Sequence, residues 1–231
     1  MDRVLAATRL HLARPLVTMG IPWLIVASSF ALNAVLWGTT PVSESDSAGT
    51  GGLAALYVTV GVVYAQAVTQ LLPFGMGLGL SRRSFYLGTA IAATAQAVSY
   101  AVALALLAAI EDASGGFGLG LQFWGPSPID VDGPLLQVVV YATPLLACAT
   151  VGAALGILFK RWGASALYTL AVAVVAVVIG TLLLIGELDA WSTVGGWLAD
   201  RSLLTFAVSL PLAVTAIAGG LSYSGLRRVV P

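Results

Sequence analysis

Residues 135–186 read LLQVVVYATPLLACATVGAALGILFKRWGASALYTLAVAVVAVVIGTLLLIG, and the only charged residues among them are Lys160 and Arg161. On each side of this basic pair lies an apolar run longer than the roughly 20 residues with which an α-helix crosses the ~30 Å hydrocarbon core of a bilayer. Two such runs joined by a short basic turn are typical of consecutive membrane-spanning helices. The stretch therefore predicts a transmembrane helical hairpin.

The same pattern extends over the whole chain of 231 residues, of which 59% are apolar and 9% are charged. In a soluble domain, about a quarter of the residues are usually charged. Because this chain has far fewer, lipid must surround much of it. Mean hydropathy is +0.98. Six long runs lack Asp, Glu, Lys and Arg, and they predict an all-α polytopic membrane protein with six transmembrane helices. The chain is then a single transmembrane domain, residues 1–231, with spans near 16–38, 53–75, 86–110, 135–158, 164–186 and 203–226.

These six spans separate the charged residues into two sets. Nine of the ten basic residues lie at the chain ends and in the second and fourth loops: Arg3, Arg9, Arg14, Arg82, Arg83, Lys160, Arg161, Arg227 and Arg228. Nine of the ten acidic residues lie in the first, third and fifth loops: Glu44, Asp46, Glu111, Asp112, Asp130, Asp132, Glu187, Asp189 and Asp200. The positive-inside rule then predicts that the N- and C-termini are cytoplasmic. Nine of the ten basic residues are Arg and Ala is abundant, a bias that favours a bacterial source and hence a multi-pass protein of the bacterial inner membrane.

Several classes of function are disfavoured by the residues that the sequence lacks. His11 is the only histidine, and no predicted span contains an acid or a base, so an intramembrane enzyme or a proton-driven pump has few candidate groups. The only lysine, Lys160, follows Phe159 rather than Gly, so the P-loop motif is missing. The single Cys148 cannot form an intrachain disulfide. We therefore expect a non-enzymatic chain without a metal or cofactor, and the zero net charge argues against a nucleic-acid partner.

The outer loops contain two acidic pairs, Glu111-Asp112 and Asp130/Asp132. A calcium site formed by these carboxylates is conceivable, but a solvated loop is the simpler interpretation. Tryptophans near the predicted span ends match an interfacial aromatic belt: Trp37, Trp124, Trp162, Trp191 and Trp197.

The N-terminal residues, 1–15, predict an amphipathic interfacial (elbow) helix on the cytoplasmic surface. At about 100° per residue, Arg3, His11 and Arg14 share one face, and Leu5 and Leu12 lie opposite. Such a helix places its Arg side chains near lipid phosphates. The alternative is a basic flank that only fixes the orientation of the first span.

The segment from Pro73 to Gly88 reads PFGMGLGLSRRSFYLG. It resembles the segment between the second and third spans of bacterial ABC exporter permeases of the type-two family, where a run of the form PF-x-x-x-LG-x-SRR-x-F-Y-x-G precedes the third helix. The layout of the whole chain is similar too: an interfacial helix, six spans and a basic C-terminus. The resemblance implies that the chain is the membrane-spanning permease subunit of an ATP-driven exporter.

In that family, the short cytoplasmic loop after the second span forms a coupling helix that contacts the ATPase subunit. The resemblance implies this role for Ser81, Arg82, Arg83, Ser84, Phe85 and Tyr86. Arg suits bidentate bonds to carboxylates, and aromatic rings suit pockets in a partner; the alternative is a basic turn with interfacial aromatics. The implied partners are two copies of a cytoplasmic ABC ATPase and a second permease copy or related permease chain. A short outer helix within residues 187–198 is implied as well.

Polar residues also form stripes on two predicted spans. Thr59, Gln66 and Gln70 share a face of the second, and Thr89, Gln96 and Ser99 share a face of the third. Because polar groups facing lipid are costly, both stripes should face protein or water. They predict either helix packing or the lining of a translocation path, and Gly152-x-x-x-Gly156 predicts a packing face.

These observations leave more than one functional hypothesis. The first is the permease subunit, coupled to ATP hydrolysis in another chain and exporting a hydrophobic or amphipathic substrate such as a drug, a lipid or a peptide-like molecule. The second is a self-sufficient secondary carrier or channel that no ATPase powers. The third, an intramembrane enzyme, lacks the catalytic groups.

Overall fold

The computed structural model describes residues 2–13, 15–40, 51–126, 129 and 131–227. Its helices are α1 (Asp2–Leu12), α2 (Leu16–Thr39), α3 (Leu53–Gly77), α4 (Arg82–Ala113), α5 (Pro134–Glu187), α6 (Trp191–Ala199) and α7 (Thr205–Leu226). No strand occurs in this part of the chain, so the predicted all-helical fold is confirmed. Five charged residues used to assign the two sides lie outside the described residues: Arg14, Glu44, Asp46, Asp130 and Arg228.

Five of these helices, α2, α3, α4, α5 and α7, are long and apolar enough to cross a membrane. The sequence predicts six spans, and the difference lies in α5, a segment of 54 residues that contains both 135–158 and 164–186. Helical geometry is broken inside it at Gly163, where φ is 74° and ψ is −167°. Glycine adopts this left-handed φ at no steric cost, so the predicted turn is a break at one residue.

Pro22 explains how α2 attaches to α4. Proline has no N–H to donate to the carbonyl four residues earlier, which here belongs to Thr18. Instead, Gln96 Nε2 of α4 donates to Thr18 O at 2.8 Å. One turn further along α4, the hydroxyl of Tyr100 donates to Met19 O at 2.7 Å. The proline thus converts a backbone acceptor within α2 into an attachment point for α4.

Pro211 has the same effect in α7. The carbonyl four residues earlier belongs to Ala207, and Thr143 Oγ1 of α5 donates to it at 2.6 Å. Further along the same pair of helices, Ile157 Cγ2 lies 3.0 Å from the position that a Cβ on Gly225 would take. From the first contact to the second, the residue numbers increase in both helices, so the first half of α5 and α7 run parallel.

Glycines allow the closest helix approach, between α3 and α5. A Cβ added to Gly152 would overlap the carbonyl oxygen of Gly61, and one added to Gly156 would lie 2.7 Å from Ala65 O. Small residues let helix backbones approach in this way in membranes, where packing rather than the hydrophobic effect drives helix association. The predicted packing face of the Gly152-x-x-x-Gly156 pattern is confirmed.

The second half of α5 is exposed along its length. The last buried residue of α5 is Ile157, and residues 164–187 contain no buried side chain. The most apolar 18-residue stretch of the described helices lies in α5, has a mean hydropathy of 2.7 and contains no buried residue, which places it in this second half. A helix that is apolar on all sides requires apolar surroundings, which here lie outside the described chain.

The end of the bundle at which α2 ends and α3 begins is filled by aromatic rings. Phe30 of α2 contacts Phe123 and Trp124 at centroid distances of 5.3 and 5.4 Å, and both of these residues are buried. Trp37 is buried in the same cluster. The predicted interfacial belt is therefore wrong for Trp37 and Trp124, because both rings pack inside the protein. Trp162, Trp191 and Trp197 are each more than half exposed, as a belt requires.

Candidate functional site

The turn between α3 and α4 is built by residues 78–81. Gly79 has a φ of +79°, a conformation that favours glycine. Ser81 is extended, and its Oγ accepts a hydrogen bond from the backbone N–H of Ser84 at 3.1 Å, which makes it the N-cap of α4. Helix α4 begins at Arg82. The predicted coupling segment, Ser81 to Tyr86, is thus the cap and first turns of a long helix.

Three arginines meet at this end of the bundle. Arg82 Nη1 donates to Arg227 O, the carbonyl that follows α7, at 2.9 Å. A pocket of about 270 Å³ lies between Arg82, Arg83, Tyr223, Leu226 and Arg227. No salt bridge joins these guanidinium groups to a carboxylate of a described residue. The pocket is therefore positively charged and uncompensated within the described chain, which suits an anion or an acidic surface.

The aromatic residues of the predicted coupling segment pack inward. Phe85 is 2% exposed and belongs to a core cluster with Val68 and Ile157. Tyr86 is half-buried, and its hydroxyl donates to Gly219 O at 3.1 Å. Since these rings pack within the chain, the surface that the segment offers consists of exposed Ser81 and Arg83, flanked by half-buried Arg82 and Ser84.

Helix α1 lies against the start of α4. A Cβ added to Gly88 would stand 2.5 Å from Ala7 Cβ, so glycine is required for this approach. Thr8 Oγ1 lies 3.3 Å from Gly88 O, and Arg3 Nη1 donates to Gly79 O at 3.4 Å. The contact joins α1 to the turn that carries Arg82 and Arg83.

His11 is buried on the inner face of α1, together with Ala7. Its Nε2 lies 2.9 Å from Thr89 Oγ1; because the Thr89 hydroxyl also lies within bonding distance of Phe85 O (2.9 Å), we assign Nε2 as the donor. Burial lowers the pKa of His11 to about 4. The predicted amphipathic face is wrong at His11, because Leu5 and Leu12 of the opposite face are the half-exposed residues.

The polar stripe on α4 is divided by the fold. Thr89 and Gln96 are buried, and each joins α4 to another helix; Gln96 Oε1 also accepts a bond from Tyr64 of α3 at 3.1 Å. Ser99 is exposed, and its hydroxyl donates to Gln96 O within the same helix. Thr89 and Gln96 thus serve helix packing, the first of the two predicted roles.

The polar stripe on α3 lines a groove. Thr59 is half-buried and donates to Ala55 O within α3. Gln66 and Gln70 are exposed and line a groove of about 400 Å³ between α3 and the α1–α2 junction, near His11. These two amides therefore line open space beside α3, and their role in a translocation path stays a prediction.

Glu111, at the opposite end of α4, has a structural role that its acidic pair with Asp112 does not predict. It is 3% exposed, and its carboxylate accepts bonds from the backbone N–H groups of Phe123, Trp124 and Gly125 at 2.9–3.1 Å. The solvated-loop interpretation is thus wrong for Glu111, because the carboxylate organises a buried turn. Exposed Asp112 fits that interpretation. No signal in the local sequence distinguishes the two acids.

Among the described residues, no group of three His, Cys, Asp or Glu side chains is placed to hold a metal ion. Comparisons of the chain with protein-family models, with curated proteins and with solved structures found no match. The chemistry that the described site offers is the recognition of negative charge by its arginines.

Proposed function

We propose that the chain is the membrane-spanning permease subunit of an ATP-driven ABC exporter. A separate cytoplasmic ATPase hydrolyses ATP, and the permease moves a hydrophobic or amphipathic substrate. The observation that carries the proposal is the exposed basic turn at Ser81 and Arg83, which lies at the end of the helix bundle. This turn belongs to the segment whose sequence resembles the coupling loop of type-two exporter permeases.

The proposal includes six crossings of a bacterial inner membrane with both termini in the cytoplasm. The parallel packing of α7 on the first half of α5 supports this count. The chain leaves the contact at Ile157 at one end of the bundle and must return to the other end to form the contact at Ala207. Residues 164–187 are long enough for that return, at 1.5 Å per residue. A reversal at Gly163 then places Lys160 and Arg161 at the same end as Arg82.

Contacts of the basic turn suggest how force from an ATPase reaches the membrane. Arg82 is bonded to the end of α7, and Gly88 is packed against Ala7 of α1. A displacement of the turn therefore moves α1, α4 and α7 together. The exposed second half of α5 provides an apolar surface for lipid or for a second permease chain.

An ATPase encoded in an adjacent reading frame would support the proposal, and co-purification of the tagged chain with such an ATPase tests it. The double variant Arg82→Glu with Arg83→Glu reverses the charge of the turn and should abolish ATPase association. The matched control is Arg201→Glu, an exposed arginine in the proposed outer loop, which should leave association unchanged. Correct membrane insertion of both variants is checked by fractionation and gel filtration.

Undiminished co-purification of a folded double variant would count against the permease assignment. A second measurement addresses the alternative hypothesis directly. Purified chain without ATPase is reconstituted in liposomes, and solute movement is followed with and without an ion gradient. Transport driven by the gradient alone would replace the proposal with a self-sufficient carrier.

A further inference from the structure

An apolar crevice lies next to the arginine pocket, between α3, α4, α5 and α7. Its cavity volume is about 50 Å³, and its walls include Ala93, Ala153, Ile157 and Leu226. Leu226 also lines the arginine pocket, so the two spaces are adjacent. A narrow apolar space beside a strongly basic one suits a molecule with an anionic head and an alkyl chain.

Ser222 of α7 places an unused hydrogen-bonding group in this crevice. The residue is 4% exposed, and its Oγ has no hydrogen-bond partner among the described residues. Nearby hydroxyl groups are already engaged: that of Tyr86 donates to Gly219 O, and that of Thr150 donates within α5. A buried hydroxyl without a partner is unfavourable, so the crevice offers a donor to a ligand with an acceptor oxygen.

The spacing of these groups along α7 is short. Ser222 precedes Arg227 by five residues, which corresponds to about 7.5 Å of helix rise. In a glycerophospholipid, the glycerol unit separates the phosphate from the ester carbonyls by a few bonds, which fits this offset. The order is also correct, because the basic groups lie at the helix end and the apolar crevice lies deeper in the bundle.

We propose that this end of the protein binds one anionic phospholipid. Its phosphate lies among Arg82, Arg83 and Arg227, and an ester carbonyl accepts a bond from Ser222 Oγ. The first methylene groups of the acyl chain enter the crevice, and the rest of the chain extends outside it. The orientation given under Proposed function makes this a lipid of the cytoplasmic leaflet. Because Ser222 and Arg227 lie outside the ATPase-contact segment, the lipid site is testable without the ATPase.

The test is native mass spectrometry of the purified full chain, delipidated in detergent and titrated with dioleoyl phosphatidylglycerol or dioleoyl phosphatidylcholine. One molecule of the anionic lipid should bind more tightly than the zwitterionic lipid. Arg227→Gln should weaken that binding about tenfold, since it removes a charged hydrogen bond, and Ser222→Ala about threefold, since it removes a neutral one. Both positions tolerate these changes, because Arg227 is exposed and Ser222 Oγ has no partner among the described residues.

Matched controls come from the same chain. Ser224→Ala removes an exposed hydroxyl of α7 that donates to Leu221 O, and Arg201→Gln removes an exposed arginine at the other end; neither should change lipid binding. The lipid site is refuted if the two lipids bind equally, if Arg227→Gln and Ser222→Ala bind as the native chain does, or if inorganic phosphate displaces the lipid at equal concentration. None of these outcomes alters the co-purification test of the ATPase contact.

Discussion

Both carboxylate oxygens of Glu111 accept hydrogen bonds from the backbone N–H of Trp124, at 3.0 and 3.1 Å. The adjacent N–H groups of Phe123 and Gly125 bond to the same carboxylate. A single side chain at the end of α4 therefore satisfies three consecutive backbone donors that are otherwise without partners in a buried turn. This buried turn also positions the aromatic rings that fill this end of the bundle.

Glu111→Gln should lower the thermal stability of the protein markedly. The amide keeps the shape of the side chain but loses the charge and turns an NH₂ group towards backbone donors, at a cost of about 3 kcal/mol in unfolding free energy. The measurement is the melting temperature of purified protein in detergent. Asp112→Asn, one residue away and exposed, is the control and should melt like the native chain. Equal stability of the two variants would contradict the role assigned to Glu111.

The different surroundings of Glu111 and Asp112 could not be predicted from the sequence, whereas the helices could. The apolar runs predicted the helices because the bilayer imposes length and hydrophobicity on each span separately. The side chain of Glu111 is buried because it bonds to a turn that begins twelve residues further along the chain. No local sequence pattern predicts that contact. Trp124 was misplaced for the same reason, since only the folded turn decides whether its ring faces lipid or protein.

His11 should make stability depend on pH. Its pKa is about 4 in the folded protein, against an ordinary value of 6.5, so protonation favours the unfolded chain. The neutral imidazole therefore stabilises the fold fully above pH 6.5. This stabilisation is lost as pH falls towards 4, and the loss reaches about 3 kcal/mol of unfolding free energy. The groups that face the ring are Thr89, Tyr64 and Phe85.

The check is a series of melting temperatures between pH 7.5 and 4.5 for the native chain and His11→Gln. The native curve should fall more steeply than that of the variant below about pH 6.5, because glutamine does not titrate. Two parallel curves would show that His11 is not the group responsible. The carboxylates are the same in both chains, so their titration affects the two curves equally and does not contribute to the difference between them.

Gly152→Val should separate α3 from α5. The new side chain would overlap the Gly61 carbonyl, and overpacking of this kind typically costs about 1–3 kcal/mol. Gly180→Val is the control, because nothing lies within 4 Å of a Cβ at that position. Melting temperature distinguishes the two variants, and a Gly152→Val protein as stable as the control would refute the close approach.

The stripe on α3 illustrates a second limit of the sequence. Periodicity correctly grouped Gln66 and Gln70, because helix geometry alone decides which residues share a face. It did not reveal that this face lines a groove while Gln96 on α4 is buried. That outcome depends on Pro22, whose missing N–H leaves an acceptor on α2 for Gln96 to bind.

The reversal proposed at Gly163 is tested by cysteine labelling in intact cells. In a Cys148→Ala background, single cysteines replace three exposed serines: Ser81, Ser165 and Ser192. A membrane-impermeant maleimide should label the cysteine at 192 directly and those at 81 and 165 only after the cells are permeabilised. If α5 instead crossed only once, positions 165 and 192 would not be divided in this way. Direct labelling at position 81 would invert the orientation, and a basic turn facing outward has no access to a cytoplasmic ATPase.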